Sequence, residues 1–441
     1  MKSSKQILLL IGCFTLLIIS WVVAAGALSA SEKQLELLTE ASPLIEDLVF
    51  IKAVPILEEA AGYNGKYILV VEEELKKAYL ALIKQQNYRR KYTNLLEKQM
   101  NREDAQEQVF AEAADYYLGI SKLHDALEIL KSGIEKTNSE TLTSMYETHR
   151  YAYEISSDIY EYSASIHNDT AQVQLDGLWG LASQNGKPLI PCQYEKISTF
   201  SNGISIVKSD GEVFAVDIKD NRIAKLHEQV KNFGNYAQDR IPFLFDDGWR
   251  RATGEFVFGL TVFEGFGMYS DGFAPAKSGG KWGVIDIGAD WLIPPEYDEL
   301  ITDDLGRCYA RGAVFAKLSG TVYLIISGER QNEGYEDARP FSDEGFAAVK
   351  RGGKWGFIDI SGKLIIDFIF DDALSFGQHL AAVKKDDLWG YIGMYGTMAI
   401  EPVFLDAKSF SGGSAPVLTE KGWQFITLIE YKQGLSKGLT L

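Results

Sequence analysis

The residues whose types and spacing could do chemistry in this sequence are acidic. Asp298-Glu299, Asp371-Asp372 and Asp406 recur just after a Tyr or Phe, at a fixed phase. Carboxylates lined up in this way could bind a divalent cation, serve as glycosidase carboxylates, or attract a cationic partner. In a connecting segment they also solvate the chain or cap a turn, the commoner duty of Asp in loops. Two Ser-x-x-Lys spellings, Ser205-Ile206-Val207-Lys208 and Ser278-Gly279-Gly280-Lys281, match a serine acylase motif. Both fall where strand ends or hairpin turns are expected. His124, His149, His167, His227 and His379 are scattered without ligand spacing. The sequence contains no Gly-rich phosphate loop, no His-Glu-x-x-His, no calcium loop and no Gly-x-Ser-x-Gly. No catalytic, cofactor-binding or metal-ligating residue is therefore assigned, and the expectation is a protein that is not an enzyme and carries no cofactor.

The acidic pairs keep their phase because the elements around them repeat. Trp179, Trp282, Trp355 and Trp389 are each followed by Gly, and Trp423 stands 34 residues after Trp389, itself 34 after Trp355. Eleven residues after the Trp come Ile190, Ile293, Ile366 and Ile400, and fifteen after it Tyr194, Tyr297, Phe370 and Phe404. Eight before it stand Ala171, Ala274, Ala347, Ala381 and Ala415. Val213, Trp249 and Val322 head degenerate units, so eight heads fall at 179, 213, 249, 282, 322, 355, 389 and 423. One spacing is irregular: 40 residues separate the heads at 282 and 322. In the unit FAAVKRGGKWGFIDISGKLII, Gly352-Gly353 and Ser361-Gly362 read as turns between three short strands. A Gly after the Trp leaves room for a neighbouring backbone to approach. A three-stranded meander cannot bury its own apolar face, so the units must stack. The expected result is an all-β curved array of seven to eight meanders, either a closed propeller-like ring or an open twisted array. The Trp residues, in phase with Ile and Val, are read as core.

The stretch Gly280-Lys281-Trp282-Gly283-Val284-Ile285-Asp286, with Ile293-Pro294-Pro295-Glu296-Tyr297-Asp298 after it and Tyr269-Ser270-Asp271-Gly272-Phe273-Ala274-Pro275-Ala276 before it, resembles the WG repeat, also written KWG, of bacterial proteins. The resemblance covers roughly 171–430. It implies a tandem β-repeat that serves as a binding or scaffold region, with no shared catalytic residues to carry over.

Ahead of the repeats, residues 32 to about 167 are rich in Ala, Leu, Glu, Lys and Gln, with apolar residues recurring at three and four. Ser42-Pro43 reads as a helix start, Pro55 as a bend or end, and Gly62-Tyr63-Asn64-Gly65 as a turn. Four amphipathic segments result, the last running from Ser139 through Tyr153, Ile159 and Tyr160 to Ile166. They fit a helical bundle or long hairpin. A Trp, Leu-Gly and Tyr tetratricopeptide pattern is not present.

The chain opens with Lys2 and Lys5, then carries no charge until Glu32. Ile7 to Leu28 is long enough to cross a bilayer core of about 30 Å. It is a signal anchor or a signal peptide, and the length of Ile7 to Val23 favours an uncleaved anchor. Cys13 sits in a poor lipobox, so lipidation there is not expected. Basic residues before the segment place the rest outside the cytoplasm under either fate. Only about five residues precede the segment, which argues against a sensor with a cytoplasmic output domain.

Composition agrees. A chain of 441 residues that is 46% hydrophobic and 24% charged is competent to fold. Its net charge of −17 argues against nucleic acid, whose binding requires a basic surface. Three Cys, one of them Cys13, are too few for a disulfide framework. The expected domains are 1–30 anchor or signal peptide, 31–168 helical, 169–432 β-repeat and 433–441 tail. The expected function is a membrane-tethered, extracytoplasmic binding or scaffold protein presenting its repeats to a protein, peptide or envelope glycan. A glycan hydrolase acting through an acidic pair is the alternative.

Overall fold

The computed structural model describes residues 29–226 and 229–431. The proposed anchor, Ile7 to Leu28, lies outside them, as do His227 and the tail 433–441. Among the described residues no helix is long and apolar enough to cross a membrane. The chain divides into two compact units, 1–149 and 150–441.

The first unit is helical: α1 (residues 29–46), α2 (Phe50–Ala61), α3 (Ile68–Ala81), α4 (Gln86–Met100), α5 (Glu107–Gly119), α6 (Leu123–Thr137) and α7 (Glu140–His149). From α2 onward each helix packs on its neighbour in sequence. Among the described residues seven short helices thus replace the four longer segments expected. Ser42-Pro43 lies inside α1 and Pro55 inside α2. The breaks fall instead at left-handed residues such as Leu48, Ser121 and Asn138, with φ of 57°, 59° and 51°. Helical spacing still sets the core: α2 buries Ala53, Val54, Leu57 and Ala60. Gly133 of α6 is required by proximity, because a Cβ there would lie 2.7 Å from both Leu142 and Phe110 side-chain atoms. Glu72, fully buried, is neutralised by Arg102 at 2.6 Å and Lys98 at 3.2 Å.

The second unit is an eight-bladed β-propeller. Blades 1 to 8 span residues 162–194, 196–225, 232–253, 265–297, 299–335, 337–370, 372–404 and 406–428. Each has one head on its third strand, so the eight heads become eight blades. The expected three strands per unit are joined by a fourth. The dipeptide after the acidic connection, such as Asp337-Ala338 or Asp372-Ala373, pairs with the next strand and begins each blade. A two-residue strand carries too little pattern to be seen in sequence. Blade 3 alone has three strands, its outer edge met by isolated bridges from Phe258 and Phe263.

The repeat periodicities translate into register. The Trp pairs with the aromatic fifteen residues on, as Trp282↔Tyr297 and Trp355↔Phe370, while the Ile eleven on pairs with the residue two after the Trp, as Val284↔Ile293 and Phe357↔Ile366. Two residues on the third strand therefore face four on the fourth, a bulge opposite the Gly. That is why Gly follows Trp: a Cβ on Gly180, Gly283, Gly356 or Gly390 would lie 2.4, 2.4, 2.7 or 2.5 Å from the carbonyl oxygen of Ile190, Ile293, Ile366 or Ile400. Trp355, Trp389 and Trp423 are buried, whereas Trp179, Trp249 and Trp282 are half-buried. The core reading holds most fully in the later blades.

The last predicted helix is wrong beyond His149. Tyr153–Ile155 is a strand that pairs with Ile426 to Leu428 at the outer edge of blade 8. Tyr160 and Ile166 pack in the propeller core, against Trp423 and Phe425 among others. Aromatic and β-branched residues serve helix or strand equally, and the free edge of blade 8 decides between them. The pairing closes the ring, and it moves the helix-to-sheet boundary from 168 to 149. There the last Trp is followed by Gln424 instead of Gly: between the pairs Ile155↔Ile426 and Tyr160↔Trp423, residues 156–159 stand opposite Gln424 and Phe425, and the Gln424 side chain donates to Ser156 O at 2.6 Å.

Candidate functional site

The acidic residues that opened the question are held by the fold. The residue just before each two-residue strand is a carboxylate in six blades, and it accepts hydrogen bonds from the hairpin turn of its own blade. Glu336 accepts from Gly352 N at 2.7 Å and Gly353 N at 3.1 Å. Glu264 serves Gly279 and Gly280, Glu161 serves Gly177 and Glu195 serves Gly211. Asp298 accepts from Ser319 N at 2.8 Å and pairs with Lys281 at 2.5 Å, and Asp371 binds Lys354 and Asp386 N. The Lys281 contact, ahead of the Ser319 N–H, holds Asp298 below the usual carboxylate range. Asp372 and Asp406 each accept from the N–H of the following Ala at 2.8 Å. The acidic pairs are thus hairpin caps and strand starters.

The Ser-x-x-Lys spellings resolve in the same way. Ser205 is fully buried in a strand, and Gly279-Gly280 form a hairpin turn with φ of 60° and 78°. Among the described residues no group of three or more His, Cys, Asp and Glu could hold a metal ion.

What the repeat pattern did not reveal is the centre of one face. The loops joining first and second strands have six or seven residues in seven blades, but twelve, 301–312, in blade 5. These extra residues account for the head spacing of 40. The long loop reaches across the ring. Asp304 Oδ2 accepts from Ser165 N of blade 1 at 2.9 Å and pairs with Lys408 of blade 8 at 3.2 Å. Leu305 O accepts from Asn235 of blade 3 at 2.9 Å, and Gly306 O accepts from Met268 N of blade 4. Asp303 closes the loop by accepting from Leu305 N, Arg307 N and, at 2.6 Å, Arg307 Nε.

Around this plug the loops interlock. Gly272 N donates to Gln238, Arg311 N to Asp271 and His379 N to Glu344, each from one blade to its neighbour, at 2.8, 2.7 and 2.7 Å. Gly413 N likewise donates to Gln378. A cavity of about 590 Å³ remains beside the plug, lined by the loops of blades 1, 4, 5, 6, 7 and 8. Phe341, Phe376 and Phe410 contribute apolar wall, and Ser342, Glu344, Arg307, Arg339 and Lys408 contribute polar groups. Arg339 pairs with Asp372 at 3.1 Å and lies 4.3 Å from the Trp355 ring centre. Burial works against the Lys408 ammonium, but Asp304 outweighs it and holds Lys408 above its ordinary range.

His167, beside this centre, is largely buried, and its Nε2 has no hydrogen-bond partner. Burial, then the Arg307 charge, pushes its pKa down to about 4 from 6.5. The unfolded chain takes up this proton first, so stability is full above pH 6.5 and is lost as pH falls through 4. The loss from this group is on the order of 3 kcal/mol. Urea denaturation of His167→Gln is expected to show a shallower acid decline between pH 6.5 and 4 than the parent chain, and parallel curves would refute the assignment.

The chain carries WG repeats. The family described as WG containing repeat matches residues 179–212, 252–282, 282–303, 334–355, 355–389 and 389–423. Most of these matches begin or end at a head Trp. Similar solved structures include Kluyveromyces lactis Hsv2, 10% identical with a TM-score of 0.32, over 49% of this chain and 86% of that one. Another is YCF48 bound to D1 peptide, at 12% and 0.35 over 63% and 96%. A third is the AfRom2 CNH domain, at 8% and 0.33 over 62% and 96%. No curated protein matches the chain.

Proposed function

We propose that this chain is a membrane-tethered, extracytoplasmic binding or scaffold protein whose propeller presents its plugged loop face to a protein or peptide partner. The observation that carries the reading is the cavity of about 590 Å³ into which the loops of six blades converge. A concave, partly apolar site with a few converging polar groups is where ligands bind. The apolar length of Ile7 to Leu28, with Lys2 and Lys5 before it, supports the tether and its orientation. The glycan hydrolase alternative gains no support, because Asp298, Asp371, Asp372 and Asp406 are engaged by the backbone of their own sheets.

Two experiments test the reading. Protease shaving of spheroplasts is expected to digest a C-terminal tag while an N-terminal fragment stays in the membrane; a protected tag beside a digested control protein would overturn the topology. A photo-crosslinker at Ser411, on the loop face, is expected to trap a defined adduct in intact cells, while one at Ile365, exposed on an outer strand, traps none. Equal trapping from both positions would place the partner elsewhere.

A further inference from the structure

We infer that the cavity beside the plug recognises a positively charged side chain, lysine or arginine, of a peptide segment of the partner. The inference rests on the loop face being the partner site and goes further by naming the chemistry. The cations lining the cavity are already matched. Arg307 is bound by Asp303, Lys408 by Asp304, and Arg339 by Asp372 with Asp337 at 3.6 Å.

Of the lining acids, Asp303 and Asp304 are taken up by these cations, whereas Glu344 and Asp343 are not. Glu344 spends one oxygen on His379 N, while its other oxygen, Oε2, is buried with no hydrogen-bond partner. His379 Nδ1 lies 3.6 Å from it, beyond hydrogen-bond distance. Two residues earlier on the same loop, Ser342 Oγ is also buried without a partner. Asp343 between them is exposed and uses its backbone oxygen, rather than its carboxylate, to accept from Arg311.

A buried carboxylate oxygen lacking a donor costs free energy that a bound ligand can recover. The group that recovers most is a cationic N–H donor, since it also offsets the charge. A metal ion is a poorer match, because no three metal-ligating side chains converge among the described residues. The volume of about 590 Å³ exceeds what a lone ammonium group fills, and Phe341, Phe376 and Phe410 can cover the aliphatic stem of a long basic side chain. The chain's net charge of −17 draws such a partner in.

The test uses the full chain in detergent with fluorescein-labelled tetralysine, tetraglutamate and tetraglycine peptides, read by anisotropy. Tetralysine is expected to bind and the others not. Glu344→Gln keeps the acceptor for His379 N and removes the charge, and is expected to weaken binding about tenfold. Ser342→Ala is expected to weaken it about threefold. Asp298→Asn, which removes an equal charge from a hairpin cap, is expected to leave it unchanged. Near-UV circular dichroism confirms that each variant is folded. Equal affinity for Glu344→Gln and the parent chain, an equal loss in Asp298→Asn, or displacement of tetralysine by millimolar calcium would each overturn the inference. Should the parent chain fail to bind tetralysine while its Ser411 crosslink persists, the cationic ligand fails and the loop-face scaffold stands. Loss of the Ser411 adduct in the parent chain itself would instead remove the scaffold reading.

Discussion

Tyr160→Ala is expected to lower the melting temperature of the propeller by roughly 10 °C, from a loss of about 4 kcal/mol spread over a large cooperative unit. Tyr160 follows the strand that closes the ring. Its side chain is 4% exposed and meets the Phe425 ring edge-on at 6.2 Å between centres. Its backbone exchanges two hydrogen bonds with Trp423, each 2.9 Å, and its hydroxyl donates to Gly186 O of blade 1 at 2.9 Å. Truncation opens a void at the seam and leaves that carbonyl without its donor. Tyr160→Phe separates the two effects, losing only the hydroxyl contact at a cost of about 1 kcal/mol. Calorimetry should show one transition moved as a whole, because a ring with an open seam exposes both flanking blades. A shift under 2 °C for Tyr160→Ala would mean that closure rests on the strand Tyr153–Ile155 alone.

Gly283→Val is expected to destabilise the propeller by about 3 kcal/mol, through overpacking against backbone. Conformational entropy alone argues the other way, since replacing a Gly of ordinary φ stiffens the unfolded chain and stabilises by about 0.4 to 1 kcal/mol. Sterics win here because the added Cβ would lie 2.4 Å from Ile293 O and 2.8 Å from Pro294 C. Pro294 and Pro295 fix the backbone of that bulge, leaving it little freedom to retreat. Chemical denaturation is the measurement, and a variant as stable as the parent would show that the bulge relaxes. Position 424 gives the contrasting case: Gln occupies the same place in blade 8, where residues 156–159 stand opposite Gln424 and Phe425, and its Nε2 donates to Ser156 O at 2.6 Å.

Much of the propeller was legible because its contacts are local. The +11 and +15 recurrences after Trp282 or Trp355 are the cross-strand partners themselves, separated by one short hairpin. The acidic phase was legible as well, though only in part: Glu264 and Glu336 fall outside the Asp pattern, yet they do for their blades what Asp298 and Asp371 do for theirs. The site was not legible. Ser342 and Glu344 belong to an ordinary turn in sequence, and only the convergence of six loops buries their side-chain oxygens. The anomalous spacing of 40 was visible without its meaning, since extra loop residues have no periodicity to read.

The sequence by itself determined the period, from heads about 34 residues apart, and the register within each blade and the Gly that the bulge requires, since these two depend on residues fewer than twenty apart. Tertiary structure alone decided the rest. Tyr153–Ile155 had to choose between extending a helix and pairing with residues more than 270 positions later, and it paired because blade 8 offered an unfilled edge whose hydrogen bonds no helix could satisfy. Once that pairing closes the ring, the long loop of blade 5 has a centre to fill, with Asp304 meeting Ser165 and Lys408, and the cavity beside it takes its charge from whatever those pairs leave over.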